Sequence, residues 1–205
     1  MSGVTPRAET SVPIHPDLAA RWSPRVFDGT AEVDLEALTA ILEAARWSAT
    51  WGDRQPVRFV VGRRGDATFD AIAETLKRGN SYARAAGALL LVCADEGPDE
   101  KTARYAGVDA GAAIANATVE AVSRGLVAHP MAGFSTDAAR EAFGIPSDVL
   151  PLAVLAVGML GDYATADPAL VERDSRPRSR MPLGEVAFSG SWGSSFSNRT
   201  GSTAD

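Results

Sequence analysis

Apolar residues recur at spacings of three and four from Leu35 onward, so that Leu35, Leu38, Leu42 and Ala45 share one face. That period predicts a helix over 34–46. Asp34 is placed as its N-cap, Glu36 in its first turn, and Val33 with Leu38 as a hydrophobic staple. Val57-Arg58-Phe59-Val60-Val61 then reads as a strand ended by Gly62. Asp66 opens a second helix carrying Phe69, Ile72, Ala73 and Leu76, and Gly79 closes it. Residues 87–93 are continuously apolar and short enough for a central strand covered on both faces.

The helix expected over 108–124 differs from the others. Val108, Gly111, Ala112, Ala115, Val119 and Val122 form one stripe, while Ile114, Ala117 and Ala121 make the other side apolar too. A helix apolar nearly all round is buried on all sides, inside the chain or against a partner. Gly125 ends it. Leu126-Val127-Ala128 suggests a short strand. Ser135 or Thr136 caps a helix that stops at Gly144-Ile145-Pro146, and residues 152–160 read as another buried strand. Residues 172–183 are basic and irregular. Residues 1–13 form a Ser/Thr/Pro-rich lead-in and 189–205 a Gly/Ser-rich tail expected to be flexible, leaving 14–188 as the folded domain. The pattern favours a mixed α/β sandwich and leaves its topology open.

Composition narrows the function. The chain has 205 residues, is 45% hydrophobic and carries a net charge of -6. Net acidity without a Lys/Arg run argues against nucleic-acid binding. No apolar segment reaches the ~20 residues needed to span a bilayer, no signal peptide is evident, and the cytoplasm is the expected location. Cys93 is the single cysteine, so no intrachain disulfide forms; its apolar setting favours a small buried hydrophobe over a catalytic thiol. With only His15 and His129 besides, a metal site of the usual ligands is not expected. His129, between Ala128 and Pro130, suits a structural role better than a catalytic one. The chain lacks a G-x-G-x-x-G turn, a Gly-Lys phosphate loop and a G-x-S-x-G elbow. A chain poor in nucleophile motifs that is still an enzyme borrows its chemistry from a cofactor.

Two clusters carry that possibility. In Arg21-Trp22-Ser23-Pro24-Arg25-Val26-Phe27, alternation puts Arg21, Ser23 and Arg25 on one side of an extended segment. Two guanidiniums and a hydroxyl make a phosphate site, or a solvated basic edge. The second cluster is Trp47-Ser48-Ala49-Thr50-Trp51-Gly52-Asp53-Arg54-Gln55-Pro56. Trp51 there either stacks on a ligand or is a surface aromatic.

In this order the motifs resemble the FMN-dependent nitroreductase family. Residues 14–27 read like the family's opening, with its basic R-x-S-x-R segment. Residues 48–59 resemble the A-P-S-x-x-N-x-Q-P-W-R-F pattern. Gly79-Asn80, Asp109-x-Gly111 at the opening of the central helix, Gly125-Leu126, Gly133-Phe134 and Arg178-Ser179-Arg180-Met181-Pro182-Leu183 follow in order. The likeness covers about residues 14–188.

The resemblance implies an α+β fold, a mixed sheet flanked by helices, and an intertwined homodimer with two FMN molecules in its interface. It assigns Arg21, Trp22, Ser23 and Arg25 to the ribityl phosphate and pyrimidine edge, with Arg178 and Arg180 completing the phosphate site. Thr50, Trp51 and Asp53 line the isoalloxazine from the partner subunit, and Ala132 and Gly133 approach N5 through the backbone. It further implies ping-pong hydride transfer from NADH or NADPH through flavin N5 to a nitroaromatic, quinone or related small acceptor, with no side chain as catalytic acid or base. A specialised flavin dehydrogenase or oxidase with another reductant, or a flavin-binding protein without turnover, are the alternatives.

Three positions depart from the family pattern: Ala49 stands for Pro, Val57 for Trp and Asp53 for Asn. An ionised Asp only accepts hydrogen bonds, and it opposes the charge gained by a reduced flavin. The expectation is a lowered flavin potential if Asp53 reaches the ring, and none if it faces solvent or pairs with Arg54 or Arg58.

Overall fold

The computed structural model describes residues 7–196. In chain order the helices are α1 (Pro16–Ala20), α2 (Leu35–Arg46), α3 (Ala67–Thr75), α4 (Glu100–Ser123), α5 (Thr136–Phe143), α6 (Pro168–Asp174) and α7 (Leu183–Val186). The strands are β1 (Val57–Arg63), β2 (Ala88–Asp95), β3 (Val127–Met131) and β4 (Val149–Gly158), and a 3-10 turn spans Arg78–Ala85. The chain divides into two units, Met1–Ser175 and Arg176–Asp205.

The first unit is built on β2. Leu89, Leu91 and Cys93 enter one apolar cluster with Phe69, Ile72, Met131, Phe134 and Val154. Ala88, Leu90 and Val92 enter a second with Leu38, Ile41, Ala113, Ala117 and Leu155. Period-two alternation thus feeds two cores, which is why the strand is apolar from Ala88 to Ala94. Truncating Leu90 or Leu91, both with no exposed surface, costs ~2–5 kcal/mol. The sheet order is β1-β2-β4-β3 and every pairing is antiparallel. The expected mixed sheet is therefore corrected, among the described residues, to an antiparallel one in an α+β fold. Edge strand β3 tolerates Pro130, which has no N–H to offer a ladder.

Local signals behave as their chemistry demands. Asp34 Oδ1 accepts the Ala37 N–H at 2.7 Å, Asp66 Oδ1 that of Phe69 at 2.7 Å, and Ser135 Oγ that of Ala138 at 3.2 Å. Gly144 ends α5 in the left-handed region at φ 60°. Other expectations are corrected. Gly62 does not end β1; it lies within the strand, where a Cβ would meet the Phe69 backbone nitrogen at 2.2 Å. The glycine lets α3 press onto the sheet. Nor does Gly79 close α3, which ends at Thr75 as Leu76 bridges to Phe134.

The central helix α4 begins at Glu100, two turns before the expected start, with Asp99 Oδ1 capping the Thr102 N–H at 2.9 Å. Its buried stripe is Ala106, Ala110, Ala113, Ala117 and Ala121. The burial expected on all sides is met within the chain on one side only: the stripe running from Val108 through Gly111 and Ala115 faces outward, and Val108 is 62% exposed.

In the second unit, the Ser189 N–H donates to Ser194 O and the Phe196 N–H to Ala187 O, closing a turn in which Phe188 packs on Trp192 with ring centroids 5.0 Å apart. Residues 189–196 of the expected tail follow this turn, and 197–205 lie outside the described residues.

Candidate functional site

Helix α1 starts on Pro16 and stops at Arg21, where the backbone turns extended. From there burial alternates: Trp22, Pro24 and Val26 are buried, while Arg21, Ser23 and Arg25 are half-buried. The segment is pinned by the Gly161 N–H to Val26 O at 3.0 Å, the Asp28 N–H to Met159 O at 3.0 Å, and the Phe27–Leu160 bridge. Arg21 Nη1 donates to Ser23 Oγ at 3.2 Å, bringing one guanidinium and the hydroxyl together. Arg25 turns elsewhere, donating Nη1 to Asp174 Oδ1 at 2.9 Å.

Beneath this segment lies a buried polar network. His129 Nδ1 is 2.8 Å from Pro24 O. A carbonyl only accepts, so Nδ1 carries a proton. The Tyr82 hydroxyl sits 3.3 Å from both ring nitrogens, of which only Nε2 is left to accept. Burial lowers the His129 pKa, partly offset by the Pro24 hydrogen bond, so Nε2 keeps its lone pair for Tyr82. Burial raises the Tyr82 hydroxyl to about 12. The guanidiniums of Arg25 and Arg173 lie 6.0 and 5.8 Å from the Tyr82 ring centre.

Tyr82 is also 3.4 Å from Asn80 Oδ1, and Asn80 Nδ2 donates to Gly133 O at 3.0 Å. A Cβ on Gly133 would meet Asn80 Nδ2 at 2.5 Å. The Ala132-Gly133 backbone is thereby coupled to the 21–25 segment through Asn80, Tyr82 and His129. Sequence reasoning noted Asn80 only as a motif and missed Tyr82 and Asp174; their signal is long-range pairing, which spacing does not reveal.

Thr50, Trp51 and Asp53 sit on a different loop, held by α4. Trp51 stacks on Tyr105 at 4.9 Å with 7° between planes, and Lys101 Nζ lies 5.0 Å over the indole. Ser48 Oγ accepts from Asn116 Nδ2 at 2.8 Å. Thr50 borders a cavity of about 490 Å³ lined also by Leu42, Val57, Phe59 and Ala113. Asp53 is exposed. Its expected partners are engaged elsewhere: Arg54 with Asp95 at 3.6 Å, and Arg58 with the carbonyls of Gln55 and Val57.

Arg178 and Arg180 belong to the second unit. Partial burial, and after it the Arg180 charge, lowers the pKa of Arg178. Two like charges held close in sequence suit a doubly charged anion.

A guanidinium beside a hydroxyl, as in Arg21 and Ser23, matches a phosphate. Trp22 Nε1 and Arg25 Nε are buried donors with no partner among the described residues, so the segment holds unused donor capacity. The donor set fits FMN.

The comparisons agree with that fit. A solved structure described as an oxidoreductase containing FMN superposes with a TM-score of 0.84 at 33% identity, covering 94% of this chain and 98% of that one. A nitroreductase family protein from Clostridium difficile 630 superposes with a TM-score of 0.65 at 23% identity over 83% of this chain and 94% of its own, a likeness of fold alone. Fold and relatives define an FMN-dependent oxidoreductase. The profile of the nitroreductase family matches residues 18–159, and the chain belongs to that family. The uncharacterized 15.4 kDa protein in ask 5' region of Mycolicibacterium smegmatis is 65% identical over 145 residues, 67% of this chain and 98% of its own length. Among the described residues no helix is long and apolar enough to cross a membrane.

Proposed function

We propose that two copies of this chain bind FMN in their interface and oxidise NADH or NADPH at the expense of a nitroaromatic, a quinone or a related small acceptor, in the cytoplasm. Bound FMN supplies the hydride chemistry in two half-reactions, so donor and acceptor use one site in turn. The chain's residues bind and orient. Arg21 and Ser23 hold the phosphate, and Arg178 and Arg180 offer a further pair of charges suited to an anion. Arg25 faces the pyrimidine edge, where its charge favours the reduced state, and Trp22 anchors the segment. Ala132 and Gly133 offer backbone near N5, at a position where a side chain would collide with Asn80. Thr50, Trp51 and Asp53 of the partner subunit cover the ring. No side chain serves as nucleophile, acid or base.

One observation carries this reading: the alternating burial of residues 21–26, which sinks Trp22, Pro24 and Val26 and leaves the two arginines and the serine half-exposed. The outward apolar stripe of α4 supports the dimer.

The test is a visible spectrum of the purified protein, then anaerobic addition of NADPH and of NADH. A yellow protein that bleaches with one of them is expected, and it identifies the donor. A yellow protein that bleaches with neither points to another reductant. A colourless protein that fails to take up FMN overturns the assignment of residues 21–25.

A further inference from the structure

Asp174 is the last residue of α6 and its carboxylate is wholly buried, with 0% of the side chain exposed. It grips one residue twice across 149 positions of sequence: it accepts the Arg25 backbone N–H at 2.7 Å and Arg25 Nη1 at 2.9 Å. The Tyr163 hydroxyl donates a third bond at 2.8 Å. Burial, and next the Asp174 hydrogen bond, push the Tyr163 pKa up, so it stays a donor. A carboxylate taken out of water is tolerated only when paired and hydrogen-bonded, and this one is satisfied by a single arginine and a tyrosine. The pair therefore fixes where the Arg25 guanidinium lies and how much of its charge is already neutralised.

The consequence rests on the flavin reading above. A guanidinium at the pyrimidine edge stabilises the negative charge that the flavin gains on reduction. A buried carboxylate 2.9 Å behind that guanidinium opposes the same charge, and low local dielectric keeps the opposition strong. We propose that Asp174 is the positioning residue of Arg25 and holds the potential of the bound flavin down, while Tyr163 limits that effect by drawing off part of the carboxylate charge.

The two residues act in opposite senses, which gives the test. Asp174→Asn keeps the shape and removes the charge. Tyr163→Phe keeps the charge and removes the bond that disperses it. Flavin potentials are measured by equilibration with a reference dye, FMN affinity by fluorescence titration of the apoprotein, and apoprotein stability by melting.

For Asp174→Asn, binding of reduced over oxidised FMN rises about tenfold, which for a two-electron couple is roughly 30 mV upward. For Tyr163→Phe it falls about threefold, roughly 15 mV downward. A purely structural pair lowers both melting temperatures and leaves both potentials in place, or moves them the same way; either result overturns the proposal. If Asp174→Asn does not fold, Tyr163→Phe alone decides, and an unchanged or raised potential overturns it.

Arg25→Gln separates the two layers. Unaltered FMN affinity in that variant removes the flavin reading of Arg25 and this proposal with it. Weakened affinity together with an unmoved potential in Asp174→Asn leaves the flavin reading standing and removes only the role of Asp174.

Discussion

Asp109, on the middle of α4, accepts the backbone N–H of Trp51 with both carboxylate oxygens, at 3.0 and 3.2 Å. The carboxylate is buried, 4% exposed. It ties the 48–53 loop to the long helix, next to the Trp51–Tyr105 stack. Asp109→Ala leaves that N–H without its acceptor, a loss of ~1–3 kcal/mol. Urea denaturation of the apoprotein is expected to show a lower midpoint, with Asp109→Asn intermediate because its amide oxygen still accepts. FMN affinity is expected to fall as well; a lowered midpoint with unchanged affinity would detach the loop from the cofactor site.

His129 makes stability depend on pH. Its folded pKa lies below the ordinary 6.5 because burial disfavours the charged ring. Below pH 6.5 the unfolded chain therefore binds a proton that the folded chain resists. Stability rises with pH wherever the unfolded state binds more protons. The contribution of neutral His129 is thus complete above the unfolded pKa and is lost as pH falls from 6.5 towards the folded value. Melting curves of the parent and of His129→Gln between pH 5 and 8 check this: the parent should lose more stability on acidification than the variant. Parallel pH profiles would show that His129 does not carry the effect.

How much of this was legible in sequence depends on range. Asp34, Asp66 and Gly144 act within one helical turn, and periodicity with capping chemistry located them. The apolar run of β2 announced a strand covered on both faces. What escaped is non-local. The first two turns of α4 carry Lys101 and Arg104 on exposed positions and so show no apolar stripe. Periodicity marked both sides of α4 as apolar but not which of them packs inside the chain, because alanine is ambiguous: a row of alanines allows close packing yet looks weaker than a row holding three valines. Gly62 looked like a strand end because its reason, the approach of Phe69 on α3, lies in another element. At the site, alternation over residues 21–25 was readable, but the departure of Arg25 towards Asp174 depends on a partner 149 residues away.

Asp53 is exposed in the single chain and unpaired with Arg54 or Arg58, whose donors go elsewhere. In the proposed dimer it faces the flavin of the other subunit, where a carboxylate about 5 Å from the reduced ring repels it by up to ~3 kcal/mol at an effective dielectric of ~20. For a two-electron couple that bounds the shift at roughly 65 mV, and solvent screening makes it smaller. Asp53→Asn is expected to raise the potential within that bound, measured by dye equilibration at low salt. A potential equal to or below the parent's means that Asp53 does not face the ring.

The outward face of α4 gives the sharpest test of assembly. Val108, Gly111 and Ala115 are exposed, and Ala112, Val119 and Val122 are half-buried, on a helix whose opposite side is already spent on the sheet. Within one chain, Ala115→Glu adds a charge to solvent and should alter monomer stability by no more than ~0.5 kcal/mol. In an interface the same charge is desolvated without a partner, at a cost of several kcal/mol. Light scattering is expected to show a dimer for the parent and a monomer for the variant, with bound FMN lost in parallel because in the proposed dimer each site takes residues from two chains. A folded, dimeric variant with full FMN content would place the interface elsewhere. A monomeric variant that keeps its FMN would show that one chain suffices to bind it, and would remove Thr50, Trp51 and Asp53 of the partner subunit from the site.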